Sequence, residues 1–116
     1  MPNIEEQNLT EFLQEVKAKM ANISTSENNE INDINLYVLN NSGKFIRSKI
    51  IFLYGLEIGV QKPKLVELAS AAELIHLSTL IHDDIIDEAD LRRDMPTVVK
   101  KWGIKKAILY GDFLYT

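Results

Sequence analysis

The sequence contains no cysteine, few prolines and glycines, and no long apolar run, and each absence excludes a class of protein. With no cysteine among 116 residues, neither a disulfide scaffold nor a thiolate metal site is available. No segment approaches eighteen consecutive apolar residues, so we expect no stable membrane span. The first ten residues contain Glu5 and Glu6 and lack a basic-then-apolar signal pattern, which favours a cytoplasmic location.

The chain also lacks a strong excess of charge of one sign. Its 13 basic and 17 acidic residues give a formal net charge of −4, so the chain has no overall attraction to nucleic acid and we expect no such partner. The composition is 46% hydrophobic and 26% charged, which excludes disorder for most of the sequence. A chain of 116 residues forms one small domain at most.

Apolar residues recur at helical spacing between the 3 prolines and 5 glycines. Asn3 and Glu6 form a capping box at the start of the first helix. We predict helices at about 4–23, 31–39, 45–58, 63–88 and 98–103, and a last helix that begins at Ile104. The polar segment 24–30 and the charged segment 89–96 are predicted to be loops. No strand-like alternation appears, and the predicted fold class is all-α.

The last predicted helix has an apolar face with few partners in the sequence. Ile108, Leu109, Phe113 and Leu114 form this face, and no stop signal follows them. Either the face pairs with another chain, or the sequence is the front part of a longer protein. We expect a homo-oligomer that associates through residues 104–116, because a soluble monomer rarely exposes so large an apolar face.

The strongest chemical pattern is the acidic segment at the end of the longest helix, residues 82–87. Asp83 and Asp87 are four residues apart, so their carboxylates project from one helix face about one turn apart. Their repulsion would be relieved by Mg²⁺, which takes one or two carboxylates and completes its shell with water and phosphate. Asp84 lies about 100° around the helix and is better placed to support such a site. An acidic surface turn in solvent is the alternative interpretation.

Basic residues on both sides of this segment add candidate anion ligands. Arg92 and Arg93 follow in the next loop, and arginine binds diphosphate oxygens through two parallel hydrogen bonds. Lys44 and Arg47 are three residues apart at a predicted helix start, where free N–H groups also favour anions. His76 lies two turns before Asp83 on the same face. Solvated loop arginines and a packed histidine remain the alternatives.

Together these residues resemble the trans-isoprenyl (polyprenyl) diphosphate synthase family. Their motifs are most similar to those of medium-chain and long-chain (octaprenyl-like) members. The resemblance covers most of the chain from about residue 40 onward, and it is carried by these motifs: Gly43-Lys44-x-x-Arg47, Glu73-x-x-His76, His82-Asp83-Asp84-x-x-Asp87, Arg92-Arg93, Pro96-Thr97 and Gly111-Asp112. It implies that residues 1–116 are the N-terminal portion of a synthase domain, with a leading helix (1–23), a polar loop (24–30) and motif-bearing helices (31–116). The implied fold is an antiparallel helix bundle of the isoprenoid synthase type, here incomplete.

The resemblance also implies an activity and a role for each matching residue. The implied reaction is a Mg²⁺-dependent head-to-tail condensation of isopentenyl diphosphate with an allylic diphosphate. Asp83 and Asp87 would hold Mg²⁺, with Asp84 in the same catalytic motif. Arg92 would contact the allylic diphosphate and act in catalysis. The residues implied for substrate binding as a set are Lys44, Arg47, His76, Arg92 and Arg93. Small residues one turn before the aspartates, Ser78 and Thr79, would leave the near floor of a prenyl cavity open.

The sequence departs from the family pattern at three points. Family members usually read Gly-Gly-Lys-Arg-x-Arg-Pro, where this chain has Ser42 and Ser48 at the ends of the motif and Phe45 inside it. Asp94 replaces a usual glycine. The second aspartate-rich motif of the family lies beyond residue 116, so we expect the 116-residue chain to be inactive in prenyl transfer by itself.

Three alternatives to a prenyl synthase remain open. A non-catalytic partner subunit would dock through the apolar face of the last helix, but it would not need a complete Mg²⁺ motif. A terpene cyclase would also use Asp-Asp-x-x-Asp, but it would not need a second diphosphate site such as Lys44 and Arg47. A generic helical interaction module would require every motif spacing to arise by chance.

Overall fold

The computed structural model describes residues 4–41 and 43–115, which form six helices and one short hairpin. The helices are α1 (Ile4–Ile23), α2 (Asn29–Asn40), α3 (Ile46–Glu57), α4 (Lys62–Ile86), α5 (Val98–Trp102) and α6 (Ile104–Tyr115), and the strands are β1 (Leu91–Arg92) and β2 (Met95–Pro96). The predicted all-α fold class is confirmed. The predicted capping residue Asn3 lies outside the described residues.

Local capping explains where the helices begin and end. α2 begins two residues before its predicted start, because the side chain of Asn28 accepts hydrogen bonds from the N–H groups of Glu30 and Ile31. α5 begins as predicted after Thr97, whose hydroxyl accepts a hydrogen bond from the N–H of Lys100. α3 is followed by Gly59 at φ 81°, a conformation that glycine adopts without steric cost.

The described residues divide into two compact units. The first consists of Met1–Ile23 and Ser42–Glu73, and its core contains Phe12, Val16 and Met20 of α1. The ring of Phe12 stacks on that of Phe52 in α3, with 4.6 Å between ring centroids. A Cβ atom added to Gly55 would lie 2.1 Å from Leu65 Cδ2, so a larger residue there would displace the buried Leu65 side chain.

The second unit consists of Ser24–Asn41 and Leu74–Thr116, and polar contacts tie its helices together. The hydroxyl of Tyr110 donates to Asn35 Oδ1, and Asn35 Nδ2 donates to the carbonyl of Ser24. Burial raises the pKa of the Tyr110 hydroxyl. The hydroxyl of Ser78 donates to the carbonyl of Gly111 at 2.8 Å. α2, α4 and α6 are therefore joined by buried hydrogen bonds as well as by apolar contacts.

α4 and α6 approach each other closely at Gly111. A Cβ atom added there would lie 2.4 Å from His82 Nε2, so the imidazole fills the space a larger residue would need. His82 Nε2 lies 3.3 Å from Asp112 Oδ1 but makes no hydrogen bond with suitable geometry in the described part of the chain. We treat this contact as packing, because the distance alone does not establish a hydrogen bond.

The apolar face of α6 is narrower than the sequence predicts. Ile108 and Leu109 are 41% and 61% exposed, as expected, but Leu114 is only 8% exposed. Leu114 therefore belongs to the core of the second unit, and its inclusion in the open face was wrong. Self-association through this face stays a prediction.

α4 is long and apolar enough to pass a test for a membrane span by length and composition alone. The helix nevertheless contains no uninterrupted apolar run of that length, because charged residues lie along it. Within the described residues, 44% of the tested window is buried by other parts of the protein, as in the core helix of a globular protein. The absence of a membrane span therefore stays an expectation.

The charged segment 89–96 contains a hairpin that the sequence pattern does not predict. Leu91 pairs with Pro96 and Arg92 pairs with Met95 in antiparallel register. The two residues of the turn, Arg93 and Asp94, have φ values of 52° and 64°, the signature of a type I′ turn. The turn lacks the Asn-Gly or Asp-Gly sequence that usually marks such a hairpin, which is why the segment reads as a loop.

Candidate active site

The candidate metal ligands lie at the C-terminal end of α4. Asp83 and Asp87 are both exposed, and the N–H of Asp87 donates to the carbonyl of Asp83 at 2.8 Å. Glu88 follows at φ 52°, while the N–H groups of Glu88 and Ala89 donate to the carbonyls of Ile85 and Asp84. These two bonds form a Schellman motif. It fixes the backbone that carries Asp87 immediately after the last helical turn.

Asp84 does not face solvent with the other two aspartates but binds an arginine of the hairpin. Arg92 Nη2 donates to Asp84 Oδ1 at 2.6 Å, and Arg92 Nε donates to Asp84 Oδ2 at 3.1 Å. The pKa of Arg92 is raised, chiefly by the hydrogen bond with Asp84 and, beyond that, by the charges of Asp84, Asp83 and Asp87. Burial opposes this effect. Asp84 therefore places one guanidinium beside the acidic helix end.

The other two carboxylates at this helix end, those of Asp83 and Asp87, interact with Arg92 through charge alone. α4 has no basic residue in its last turn, and a helix C-terminus itself carries partial negative charge. Within residues 4–41 and 43–115, no side chain makes a hydrogen bond or ion pair with Asp83 or Asp87. The two carboxylates fit a hard divalent cation that takes two protein oxygens and other ligands from solvent or substrate. No group of three His, Asp or Glu residues in the described part could enclose a metal.

The hairpin that carries Arg92 is held against α2 by contacts that sequence reasoning missed. The hydroxyl of Tyr37 donates to the carbonyl of Pro96, and its ring meets Trp102 edge-on at 5.2 Å. Arg93 Nη1 donates to the carbonyl of Asn41 at 3.4 Å. A tyrosine in α2 gives no local sequence signal for a partner 59 residues away.

A small cleft, open to solvent, lies between α2, α4 and the hairpin in the second unit. Its walls include Tyr37, Leu77 and Met95, and Asp84 and Arg92 line it as well. Arg93 also contributes to the lining. The cleft thus combines apolar side chains with the guanidinium groups of Arg92 and Arg93.

The start of α3, in the first unit, carries the other candidate basic residues. Lys44 and Arg47 are both exposed. Glu73 is 4% exposed and accepts hydrogen bonds from the N–H and the hydroxyl of Ser48, each at 3.1 Å. Arg47 Nε lies 3.6 Å from the same carboxylate oxygen. Sequence reasoning gave Glu73 no role, although its place one turn after the buried Ala69 marks it as a charge on a core face.

The structure brings some of the predicted site residues together within one unit. Asp83, Asp84, Asp87 and Arg92 form one cluster at the end of α4, and Arg93 lies in the turn beside them. His76 is half-buried in the same unit, whereas Lys44 and Arg47 belong to the first unit.

The two small residues expected at a cavity floor differ from each other in environment. Ser78 is 1% exposed and its hydroxyl binds the carbonyl of Gly111, so it packs α4 against α6. Thr79 is exposed, and its hydroxyl donates to the carbonyl of His76 at 2.7 Å. Thr79 is thus on an exposed surface and Ser78 is not. Their place at the floor of a prenyl cavity stays a prediction.

The helical fold and the acidic cluster with its paired arginine define an isoprenoid-synthase type of protein. The family model described as polyprenyl synthetase matches residues 28–116. The chain belongs to the polyprenyl synthetase family.

Individual relatives agree with this assignment. The chain is 38% identical over 86 residues to octaprenyl diphosphate synthase of Escherichia coli K12, covering 74% of this chain and 27% of that protein. It is 35% identical over 107 residues to heptaprenyl diphosphate synthase component 2 of Geobacillus stearothermophilus, covering 92% of this chain and 33% of that protein.

A solved structure is also similar in fold. The polyprenyl synthase of Caulobacter crescentus CB15, crystallised in complex with calcium and isoprenyl diphosphate, superposes with a TM-score of 0.87 and 27% identity. The match covers 94% of this chain and 33% of that one. The chain therefore spans about a quarter to a third of the length of these relatives.

Proposed function

We propose that the chain takes part in the Mg²⁺-dependent head-to-tail condensation of isopentenyl diphosphate with an allylic diphosphate. In this reaction the allylic C–O bond breaks and diphosphate leaves with the bonding electrons. The double bond of isopentenyl diphosphate forms the new C–C bond, and a proton is then lost. The observation that carries the proposal is the pair of exposed carboxylates, Asp83 and Asp87, which lie beside the arginine bound by Asp84.

The residues at the end of α4 act on the leaving group. Asp83 and Asp87 would hold Mg²⁺, and the bound metal would supply positive charge to the diphosphate. Arg92 adds a second positive charge, and its bond to Asp84 orients it before the substrate arrives, so little reorganisation is needed as charge develops. The calcium and isoprenyl diphosphate in the Caulobacter crescentus structure support a divalent cation together with this class of ligand.

Lys44, Arg47, His76 and Arg93 bind the diphosphate of isopentenyl diphosphate. The exposure of Lys44 and Arg47 at the start of α3 supports this role, because basic side chains that reach solvent can bind an anion. The apolar tail of the allylic substrate runs along α4, where Ile75 and Thr79 are exposed on the same face as Asp83.

A second candidate function is that of a subunit in a larger assembly, which the exposed residues of α6 favour. Ile104, Ile108, Leu109 and Tyr115 are all more than two fifths exposed. The Geobacillus stearothermophilus relative is named as one component of a heptaprenyl diphosphate synthase. We propose homo-oligomerisation through α6 at a cytoplasmic location. A monomer by light scattering at high protein concentration would contradict it.

Calorimetric titration with a Mg²⁺–diphosphate complex tests the metal site on the 116-residue chain. We expect binding that Asp83→Asn and Asp87→Asn each weaken by about tenfold or more, because each removes one of two ionic ligands. Glu88→Gln is the matched control. It removes one exposed charge next to Asp87 and should change the affinity less than about twofold.

An activity assay with farnesyl diphosphate and labelled isopentenyl diphosphate separates binding from turnover. Binding without product would support the metal site and the expected inactivity of the 116-residue chain. Product formation would support the reaction but contradict the inactivity. If neither occurs, the catalytic proposal is wrong and the assembly function takes its place.

A further inference from the structure

The start of α3 is capped by a residue from another helix. Phe45 occupies the N-cap position with φ 56°, and it makes no side-chain hydrogen bond there. The usual N-cap side chain accepts from the second or third N–H of the helix. Here Glu73 of α4 accepts the third of these, from Ser48, and it accepts the Ser48 hydroxyl as well. A buried carboxylate thus performs the capping that Phe45 does not provide.

The same carboxylate controls the environment of Arg47. Glu73 Oε1 lies 3.6 Å from Arg47 Nε, and the Glu73 side chain is 6% exposed whereas that of Arg47 is 43% exposed. A buried carboxylate needs partners to offset the loss of hydration. Glu73 obtains them from Ser48 and Arg47, so Nε of the guanidinium lies near the carboxylate while much of the Arg47 side chain stays exposed.

We propose that Glu73 is a positioning residue that orients Arg47 for a diphosphate ligand. Ser48 contributes through its N–H and hydroxyl. A proline, which the family pattern usually has at this position, would supply neither donor. The inference rests on the proposed function of Arg47 as a ligand of isopentenyl diphosphate, and it adds a residue that does not itself touch the substrate.

Charge alone and positioning predict opposite results for Glu73→Gln. The substitution removes a negative charge near an anion-binding residue, so simple electrostatics predicts tighter diphosphate binding. Positioning predicts weaker binding, because Arg47 would lose its fixed orientation. Glu67→Gln is the matched control, since Glu67 is an exposed residue of the same helix and its substitution removes the same charge.

The first experiment measures the order of the Arg47 side chain without any ligand. In ¹⁵N relaxation of the arginine Nε–Hε groups of the 116-residue chain, Arg47→Lys assigns the Arg47 signal. We expect the heteronuclear NOE of Arg47 Nε to fall in Glu73→Gln and to stay unchanged in Glu67→Gln. An Arg47 signal equally ordered in Glu73→Gln and in the unmodified chain would overturn the proposal.

The second experiment is calorimetric titration with isopentenyl diphosphate. We expect Glu73→Gln to weaken binding by about five- to tenfold, as interaction energies between contacting groups commonly do. Ser48→Ala should weaken it by about twofold, because it removes one donor and leaves the charge. This variant tests the proposal even if circular dichroism shows that Glu73→Gln does not fold.

The outcomes separate this inference from the proposed function. If Arg47→Ala weakens binding and Glu73→Gln leaves it equal or tighter, positioning is wrong and the role of Arg47 stands. If Arg47→Ala has no effect, the role of Arg47 in diphosphate binding is wrong. In that case a fall in Arg47 order in Glu73→Gln would still support the structural link between the two residues.

Discussion

The start of α3 and the end of α4 carry opposite charges, yet both oppose the dipole of their own helix. Lys44 and Arg47 place positive charge at a helix N-terminus, which already carries partial positive charge. Asp83 and Asp87 place negative charge at a C-terminus of the opposite polarity. At each end the protein supplies one buried or half-buried counter-charge: Glu73 for Arg47, and Arg92 for Asp84.

The difference between the two ends lies in what the counter-charge does. Glu73 is a core residue that also caps the helix backbone, so the α3 end depends on it for structure. Arg92 lies on a hairpin and binds only a side chain, so the α4 end would keep its backbone geometry without it. The basic end is thus built into the core, whereas the acidic end is completed by a separate segment.

The largest expected loss of stability comes from removing Glu73, which caps the basic start of α3. Glu73→Ala should lower the free energy of unfolding by about 2 to 3 kcal/mol, because it leaves two buried donors of Ser48 without an acceptor. Urea denaturation followed by circular dichroism measures this. Glu73→Gln keeps an acceptor and should cost about 1 kcal/mol. Equal costs for the two variants would show that the charge, and not the cap, matters.

A smaller loss is expected when the acidic end is broken. Asp84→Asn should lower the free energy of unfolding by about 1 to 2 kcal/mol, since it weakens a two-bond ion pair whose arginine is partly exposed and screened. Asp90→Asn is the control, because the ion pair of Asp90 with Lys100 Nζ is long, at 4.0 Å, and both side chains are exposed. If Asp84→Asn lowered the free energy of unfolding as much as Glu73→Ala, the start of α3 would not depend more on its counter-charge than the end of α4 does.

The hairpin that carries Arg92 should gain stability from a substitution outside both ion pairs, Glu73–Arg47 and Asp84–Arg92. Asp94 has φ 64°, so Asp94→Gly should raise the free energy of unfolding by about 0.5 to 1 kcal/mol through relief of steric strain. Thermal unfolding measures the gain. Asp94→Ala keeps a Cβ and should not reproduce it. A loss of stability in the glycine variant would contradict the type I′ assignment.

The smallest expected change in stability, that of Asp87→Asn, has opposite signs without and with bound ligand. Without metal, Asp87→Asn should stabilise the chain by about 0.3 kcal/mol, because it relieves like-charge repulsion one turn apart and an unfavourable dipole contact. With Mg²⁺ and diphosphate present, the same variant should melt below the unmodified chain, which gains stability from binding. Stabilisation under both conditions would exclude Asp87 as a metal ligand.

Much of this arrangement could be predicted from the sequence, for reasons that differ between elements. Helical spacing predicted the bounds of α1, and Thr97 and Gly103 predicted those of α5, because these signals are local. The exposed pair Asp83 and Asp87 followed from the four-residue spacing alone. Local patterns could not show that Asp84 binds Arg92, since that contact depends on a hairpin whose turn residues are unusual.

The unpredicted contacts are those that join distant parts of the chain. Glu73 lies 25 residues from Ser48, and Tyr37 lies 59 residues from Pro96. The hydroxyl of Ser78 binds the carbonyl of Gly111, which is 33 residues away. Spacing within one helix indicates a shared face, but it does not indicate what covers that face.

The two-residue turn of the hairpin has a consequence for how this segment can vary. Loops usually tolerate insertions, but side chains alternate across a strand, so one added residue in either strand would turn Arg92 to the opposite face. The alternation of side chains and the two-residue turn therefore fix the length of the segment 91–96. We expect single-residue insertions and deletions there to be excluded among functional variants, although substitutions at the exposed Asp94 are permitted.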